Sequence, residues 1–439
     1  MESESRHQSK TSLRYGGGAF DARTVLIRIF CFLQRKKAVI LRSDPRRCGE
    51  ILAASATKGT FIEHLFAIPA WHPIYSIEST DGPRWEQLSQ DFKKLMGVIG
   101  WRERLTPLTR QHAGSLTGLV DAEAISRLVA RILFELLFCK AISSDDETLF
   151  YQASLEWRKE IALKGKANVL VKSAFWNRLA ELVADSPFKD GLDSYKADPA
   201  CWLSLFAQPF LISPQINVSD IFVTVFHYLR ANPASMEAAM GWAAQDDKAR
   251  LGGVVLESIR LRHPFPILER EVADTQFFIV LDRFEQDQRF DPERWLQAPS
   301  ENPYYSIPFA AGPRMCVGKP IAMELLVELL KVFLLDFSPE QIQPQRGHLY
   351  SGRDNDLRRY KGEFRYQAGV FLRGLWRSLI LGQRGARTAP STPPASGCPW
   401  KKMTERFQRE QALTSPQATP ETHGAPDSRC ERRYSSPDG

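Results

Sequence analysis

The sequence predicts a mainly α-helical α+β fold: a large helical domain followed by a small β-rich region. Three observations carry that expectation. Apolar residues recur at helical spacing through residues 122–141 and 176–183. From Phe265 the chain turns proline-rich, and Phe277-Phe278-Ile279-Val280-Leu281 has the bulky and β-branched make-up of a strand. A further apolar helical run, from Pro320 to Leu335, closes the ordered part. Near the start, residues 26–30, a basic turn at Arg35-Lys36-Lys37 and residues 38–41 read as a β-hairpin. Asp44-Pro45 then opens a helix through Ile51 and Leu52, with the acid as cap and proline in the first turn. The segment 46–260 is otherwise mainly helical, and Val254 to Leu261 is one of its helices.

With 439 residues and 43% hydrophobic content the chain can bury a sizeable core. Its net charge of +7 points to an acidic protein partner or an anionic membrane face. No basic-and-aromatic module of the RNA-binding type accompanies the charge, so nucleic acid is not expected as a partner. Seven cysteines without a C-x-x-C pair argue against a disulfide scaffold or a zinc site. The apolar run Val25 to Leu33, broken by Arg28, is too short to span a bilayer. After about residue 384 the composition shifts to Pro, Ser, Thr, Gln and charge, which predicts a disordered tail over 384–439 behind a domain over 1–383.

The most informative stretch is Phe309-Ala310-Ala311-Gly312-Pro313-Arg314-Met315-Cys316-Val317-Gly318. It sets one cysteine between two glycines, beside an arginine and just ahead of a helix. A thiolate can hold haem iron and push electron density onto it. Gly312 and Gly318 permit tight turns where a flat macrocycle approaches. Arg314 can meet a propionate, and the following helix N-terminus favours a thiolate.

This pattern, F-x-x-G-x-R-x-C-x-G, resembles the cysteine-ligand loop of the cytochrome P450 family at every fixed position. The resemblance implies a haem b (iron protoporphyrin IX) cofactor, bound through Cys316 as the axial ligand with Phe309, Gly312, Arg314 and Gly318 around it. Upstream, Glu257-Ser258-Ile259-Arg260 and Pro292-Glu293-Arg294 are similar to the family's E-x-x-R helix and P-E-R segment. That similarity implies a buried charge triad of Glu257, Arg260 and Arg294. Arg270 is a further candidate contact for a propionate. The implied activity is that of a monooxygenase acting on a lipophilic small molecule of sterol-like, terpenoid or polyketide type in secondary metabolism. Electrons would come from NADPH through NADPH–cytochrome P450 reductase docked on the basic face. By the same resemblance the location is the cytosolic face of the endoplasmic reticulum membrane, with peripheral membrane contact. With no transmembrane anchor visible, and the start resembling a family member truncated at its N-terminus, a cytoplasmic location is the other expectation.

Three departures from the family qualify this. Counting back from Asn232-Pro233, the usual acid–threonine pair of the distal helix is replaced around Asn217. With Gln215, that stretch is similar to the distal helix of sterol 7α-hydroxylases and prostacyclin synthase. Asn217 is thus a candidate catalytic residue, with helix capping as its structural alternative. An oxygen-independent haem-thiolate isomerase or dehydratase is then a second activity. The W-x-x-x-R pattern has Trp85 but Ser89 in place of arginine, leaving Arg84 or Lys93 as substitutes. Residues 361–383 are atypical: a basic, apolar run over 370–381 suits a membrane surface. The altered ends also admit a catalytically inactive haem-binding protein.

Overall fold

The computed structural model describes residues 28–29, 31–32, 36–59, 77, 80–161, 167–195, 199–265, 267–281, 287–338, 341–342, 368–369, 372, 403 and 405–409. Helices dominate. In chain order they are α1 (Pro45–Ala54), α2 (Gly82–Ile99), α3 (Trp101–Ala113), α4 (Ala122–Phe138), α5 (Ser144–Ile161), α6 (Val169–Ala184), α7 (Lys189–Ser194), α8 (Pro199–Phe206), α9 (Ser213–Ala231), α10 (Pro233–Ala244), α11 (Lys248–Leu261) and α12 (Lys319–Asp336). Several begin where the sequence supplies a cap. Asp44 accepts from the Arg47 amide, Asp121 from Ala124 and Asp247 from Arg250, each satisfying a donor the helix cannot.

The long central helix extends further upstream than the sequence showed. α8 runs into a π-helical stretch, Ala207–Ile212, and on into α9, making one 33-residue rod from Pro199 to Ala231. Pro209 and Pro214 explain the widened turns. Neither has an N–H to return to the carbonyl four residues back, so the ladder changes register. The rod is apolar and long enough to cross a membrane, but 78% of its most apolar window is buried inside the protein, as in a core helix. α4, α11 and α12 pack around it. Phe222 of α9 meets Phe333 of α12 edge-on, with centroids 4.8 Å apart.

The sheet has three strands in the order β1 (Lys37–Leu41), β3 (Thr275–Val280), β2 (Ile267–Val272). β2 and β3 form an antiparallel pair, whereas β1 runs parallel to β3 with Val39 opposite Phe277. The hairpin expected near the start is therefore not formed. Residues 28–29 and 31–32 are helical, and β1 finds its partner more than 200 residues later. A parallel pair needs a long crossover, here the whole helical region. Phe278 and Ile279, both buried, offer β1 an apolar neighbour that a local basic hairpin lacks.

The stretch expected to be a disordered tail also needs correction where it is described. Residues 405–409 are helical, and Met403 and Phe407 are fully buried. Phe407 packs on Phe188 at 5.6 Å between centroids, under the guanidinium of Arg104, and Arg406 pairs with Asp190 at 3.0 Å. Two apolar residues one turn apart suffice to dock a short helix that average composition hides. Cys398, Cys430 and nearly all of the atypical 361–383 segment lie outside the described residues.

Candidate functional site

The cysteine loop is held by its own backbone. The Cys316 amide donates to the Phe309 carbonyl at 2.9 Å, and the Lys319 amide donates to the Cys316 carbonyl at 3.1 Å. The sulfur therefore stands just before the first turn of α12. Of the described cysteines, Cys31, Cys48, Cys139 and Cys201 are buried and Cys316 is partly exposed. Burial pushes the Cys31 and Cys48 thiols up to about 11 and about 12. Lys319 lies close enough to Cys316 to interact with it electrostatically.

The two loop glycines differ. Gly312 has φ +68°, and a Cβ there would lie 2.6 Å from the Ala53 Cα. Only glycine fits that close approach of the loop to α1. Gly318 has φ −83°, which any residue adopts, and a Cβ would sit an ordinary 3.9 Å from the Cys316 sulfur. The tight-turn argument made from sequence thus holds for Gly312 and not for Gly318.

Arg314 is buried, and protein groups surround its guanidinium. Nε donates to the Ala56 carbonyl at 2.6 Å and Nη2 to the Thr80 carbonyl at 2.7 Å, while the Asp81 carboxylate pairs with it directly. Its guanidinium carbon lies 4.3 Å from the centroid of a Trp85 ring. Asp81 also accepts the Lys58 and Gly59 amides. Arg270 is buried beside it and donates to the Arg314 carbonyl at 3.2 Å. Neither substitute for the missing arginine joins this group. Arg84 donates to the Cys201 sulfur at 2.6 Å, and Lys93 is exposed. Ser89 is buried. Sequence reasoning missed Asp81; the Asp-Gly-Pro start of α2 was its only signal.

Behind the loop, Glu257 is completely buried between two guanidiniums. Arg260 donates to it twice, at 2.8 and 2.6 Å, and Arg294 Nε lies 3.2 Å from Oε1 but angled off a hydrogen bond. The Trp295 indole and the Asp291 amide each donate to the same carboxylate at 2.9 Å. Asp287 ties the arginines together, its carbonyl taking Arg260 Nη1 and its carboxylate taking Arg294 Nη2. Trp295 directly follows the P-E-R segment, and the motif alone assigns it no role.

Asn217 lies inside α9, not at its end, so it is no cap. Its Nδ2 donates to Ser213 Oγ at 2.7 Å, and its Oδ1 has no hydrogen-bond partner among the described residues. It is half-buried, whereas its neighbours on the helix, residues 215–216 and 218–226, are buried. Gln215 points elsewhere, into the α8–α9 junction, where it bonds the Leu211 carbonyl. Thr224 is buried and His227 lies at the surface.

These residues fit a haem. A partly exposed sulfur precedes a helix N-terminus, the loop is built on a close approach only glycine allows, and two buried guanidiniums stand side by side near it. One of them, Arg314, is already shared with Asp81.

Comparison with known proteins agrees. The cytochrome P450 family model matches residues 281–350, which contain the whole cysteine loop. The chain is 32% identical over 115 residues to cytochrome P450 4d2 of Drosophila melanogaster, a stretch covering 22% of this chain and 23% of that protein. It is 44% identical over 59 residues to the cytochrome P450 monooxygenase LUC2 of a Fusarium species, covering 12% and 11%. With the rat mitochondrial 1,25-dihydroxyvitamin D(3) 24-hydroxylase it shares 42% over 55 residues, 12% and 10% of the two chains. The matched stretches thus span less than a quarter of each relative. The fold is matched far more widely. A six-coordinate cytochrome P450 from Thermus thermophilus superposes with a TM-score of 0.52 at 18% identity, over 68% of this chain and 84% of that one. The motif region and the fold point the same way: residues 281–350 match the cytochrome P450 family model, and the architecture around them is that of a cytochrome P450.

Proposed function

We propose that the protein is a haem-thiolate monooxygenase acting on a lipophilic small molecule. The observation that carries this reading is Cys316, partly exposed and fixed by the Phe309 carbonyl at the start of α12. Bound haem supplies reductive activation of oxygen and its insertion into a C–H bond; the chain supplies everything around it. Cys316 would hold the iron, with the α12 N-terminus favouring its negative charge. Gly312 lets the loop lie flat on α1. Arg270 and Arg314 would meet the propionates, Arg314 dividing its donors between a propionate and Asp81. Glu257, Arg260 and Arg294 keep the segment before the loop in place. Asn217 Oδ1, without a hydrogen-bond partner among the described residues, would accept a hydrogen bond from a proton-donating group in the site. Electrons come from NADPH through a reductase of complementary charge, and the full protein works at a membrane surface.

The experiment is product formation with purified reductase and labelled dioxygen. Label in the product and strict NADPH dependence support the reading; turnover of an organic peroxide with neither reductase nor NADPH contradicts it. That second outcome belongs to a haem-thiolate isomerase, which Asn217 favours because no acid–threonine pair stands beside it.

A further inference from the structure

Arg158, on α5, is buried with 2% of its surface exposed. A guanidinium keeps its charge at any working pH, and burying it without compensation is expensive. Two other buried arginines have a carboxylate in contact: Arg260 has Glu257 and Arg314 has Asp81. Arg158 forms no ion pair among the described residues. Nη2 donates to the Pro264 carbonyl at 2.6 Å, the group lies 5.4 Å from the Phe265 ring centroid, and Nε has no hydrogen-bond partner among the described residues. Asp220 of α9 acts on it only through space, and burial works against its charge.

Its position is as informative as its charge. Pro264 and Phe265 follow His263, whose ring nitrogens lie 3.1 Å from the Pro308 carbonyl and 2.8 Å from the Phe265 carbonyl. Phe309, next to Pro308, anchors the Cys316 amide. Asp220 lies three residues, about one turn, from Asn217 on the same rod. The guanidinium therefore lies against the turn wired to the cysteine loop, within electrostatic reach of Asp220 on the Asn217 part of the central helix. Apolar Pro264 and Phe265 border a cation whose Nε edge is unpaired.

We propose that Arg158 anchors a carboxylate on the substrate, so that the molecule oxidised is a lipophilic carboxylic acid. Nε and an Nη can grip a carboxylate through two parallel bonds, while Phe265 meets the apolar body. A site built around such a group rejects an analogue without it. This rests on the monooxygenase reading.

The test is calorimetric titration of the haem-loaded full chain with dodecanoic acid and with methyl dodecanoate. The acid binds at least about tenfold more tightly, since one good charged contact is worth that much. Arg158→Gln erases the preference without changing ester binding, and Arg158→Lys keeps part of it. Asp220→Asn, which removes a competing anion, tightens acid binding several-fold and leaves the ester unchanged. Equal affinity for acid and ester in the unaltered protein overturns the proposal, as does an unchanged preference in Arg158→Gln. If Arg158→Gln instead fails to retain haem, the carboxylate belongs to the porphyrin and the proposal falls. Should that variant not fold, Asp220→Asn decides alone, no tightening being the contrary result. The carbon monoxide spectrum of the same samples reports thiolate ligation separately, so failure of the haem reading is seen independently.

Discussion

The Trp295 indole N–H donates to Glu257 Oε2 at 2.9 Å, giving a wholly buried carboxylate a donor beyond its two arginines and the Asp291 amide. Both carboxylate oxygens are contacted from several sides, so the group is a hydrogen-bonded network and not a bare ion pair, with Arg294 contributing by charge at 3.2 Å. Removing one member should cost according to what it strands. Glu257→Gln leaves two guanidiniums facing a neutral amide and should destabilise by about 3–5 kcal/mol. Trp295→Phe removes one donor and should cost about 1–3 kcal/mol. Urea denaturation of the two variants checks both the size and the order. A larger loss for Trp295→Phe would contradict the assignment.

The two loop glycines should respond differently to alanine. Gly312→Ala meets both a left-handed backbone and the α1 backbone, and should cost about 1–3 kcal/mol. Gly318→Ala has ordinary space and an ordinary φ, so folding stability should change by less than about 0.5 kcal/mol. Thermal melts of the two variants distinguish them.

Cysteine reactivity should follow exposure. In the haem-free protein at mildly alkaline pH, an alkylating reagent should label Cys316 well before Cys48 or Cys31, whose thiols burial holds up at about 12 and about 11. Haem loading should protect Cys316 and leave the other two unchanged. Peptide mapping after timed labelling reads this directly.

Asp146 offers a pH test. Bidentate bonds from Arg178, at 2.7 and 3.0 Å, hold its carboxyl below the usual range. Between the unfolded value, about 3.9, and the lower folded value, the unfolded chain binds a proton that the native chain does not. Its stabilising contribution is therefore complete above that range and fades as pH falls through it. Asp146→Asn should lie below the unaltered protein in stability at neutral pH, with the gap narrowing as pH falls below about 3.9. A gap that widens in acid would contradict the sign.

Much of this was legible in the sequence because the informative residues sit in short windows. The F-x-x-G-x-R-x-C-x-G loop, E-x-x-R and P-E-R are local patterns, and the helical runs read over 122–141, 254–261 and 320–335 overlap the helices found at Ala122–Phe138, Lys248–Leu261 and Lys319–Asp336. What was missed depends on distant pairing. β1 reads as half a hairpin until β3 arrives across the helical region. Asp81 carries no motif of its own, yet its carboxylate serves Arg314 and two amides. Arg158 is buried only because the Pro264 turn, more than 100 residues away in the chain, packs on it. Phe407 is hidden by the polar composition around it.

The most direct measurement is the carbon monoxide difference spectrum of the reduced, haem-loaded protein, taken alongside Cys316→Ala. The red-shifted Soret band that gives the family its name should appear in the first and be absent from the second. A protein that binds no haem, or a variant that keeps the band, would contradict ligation by Cys316.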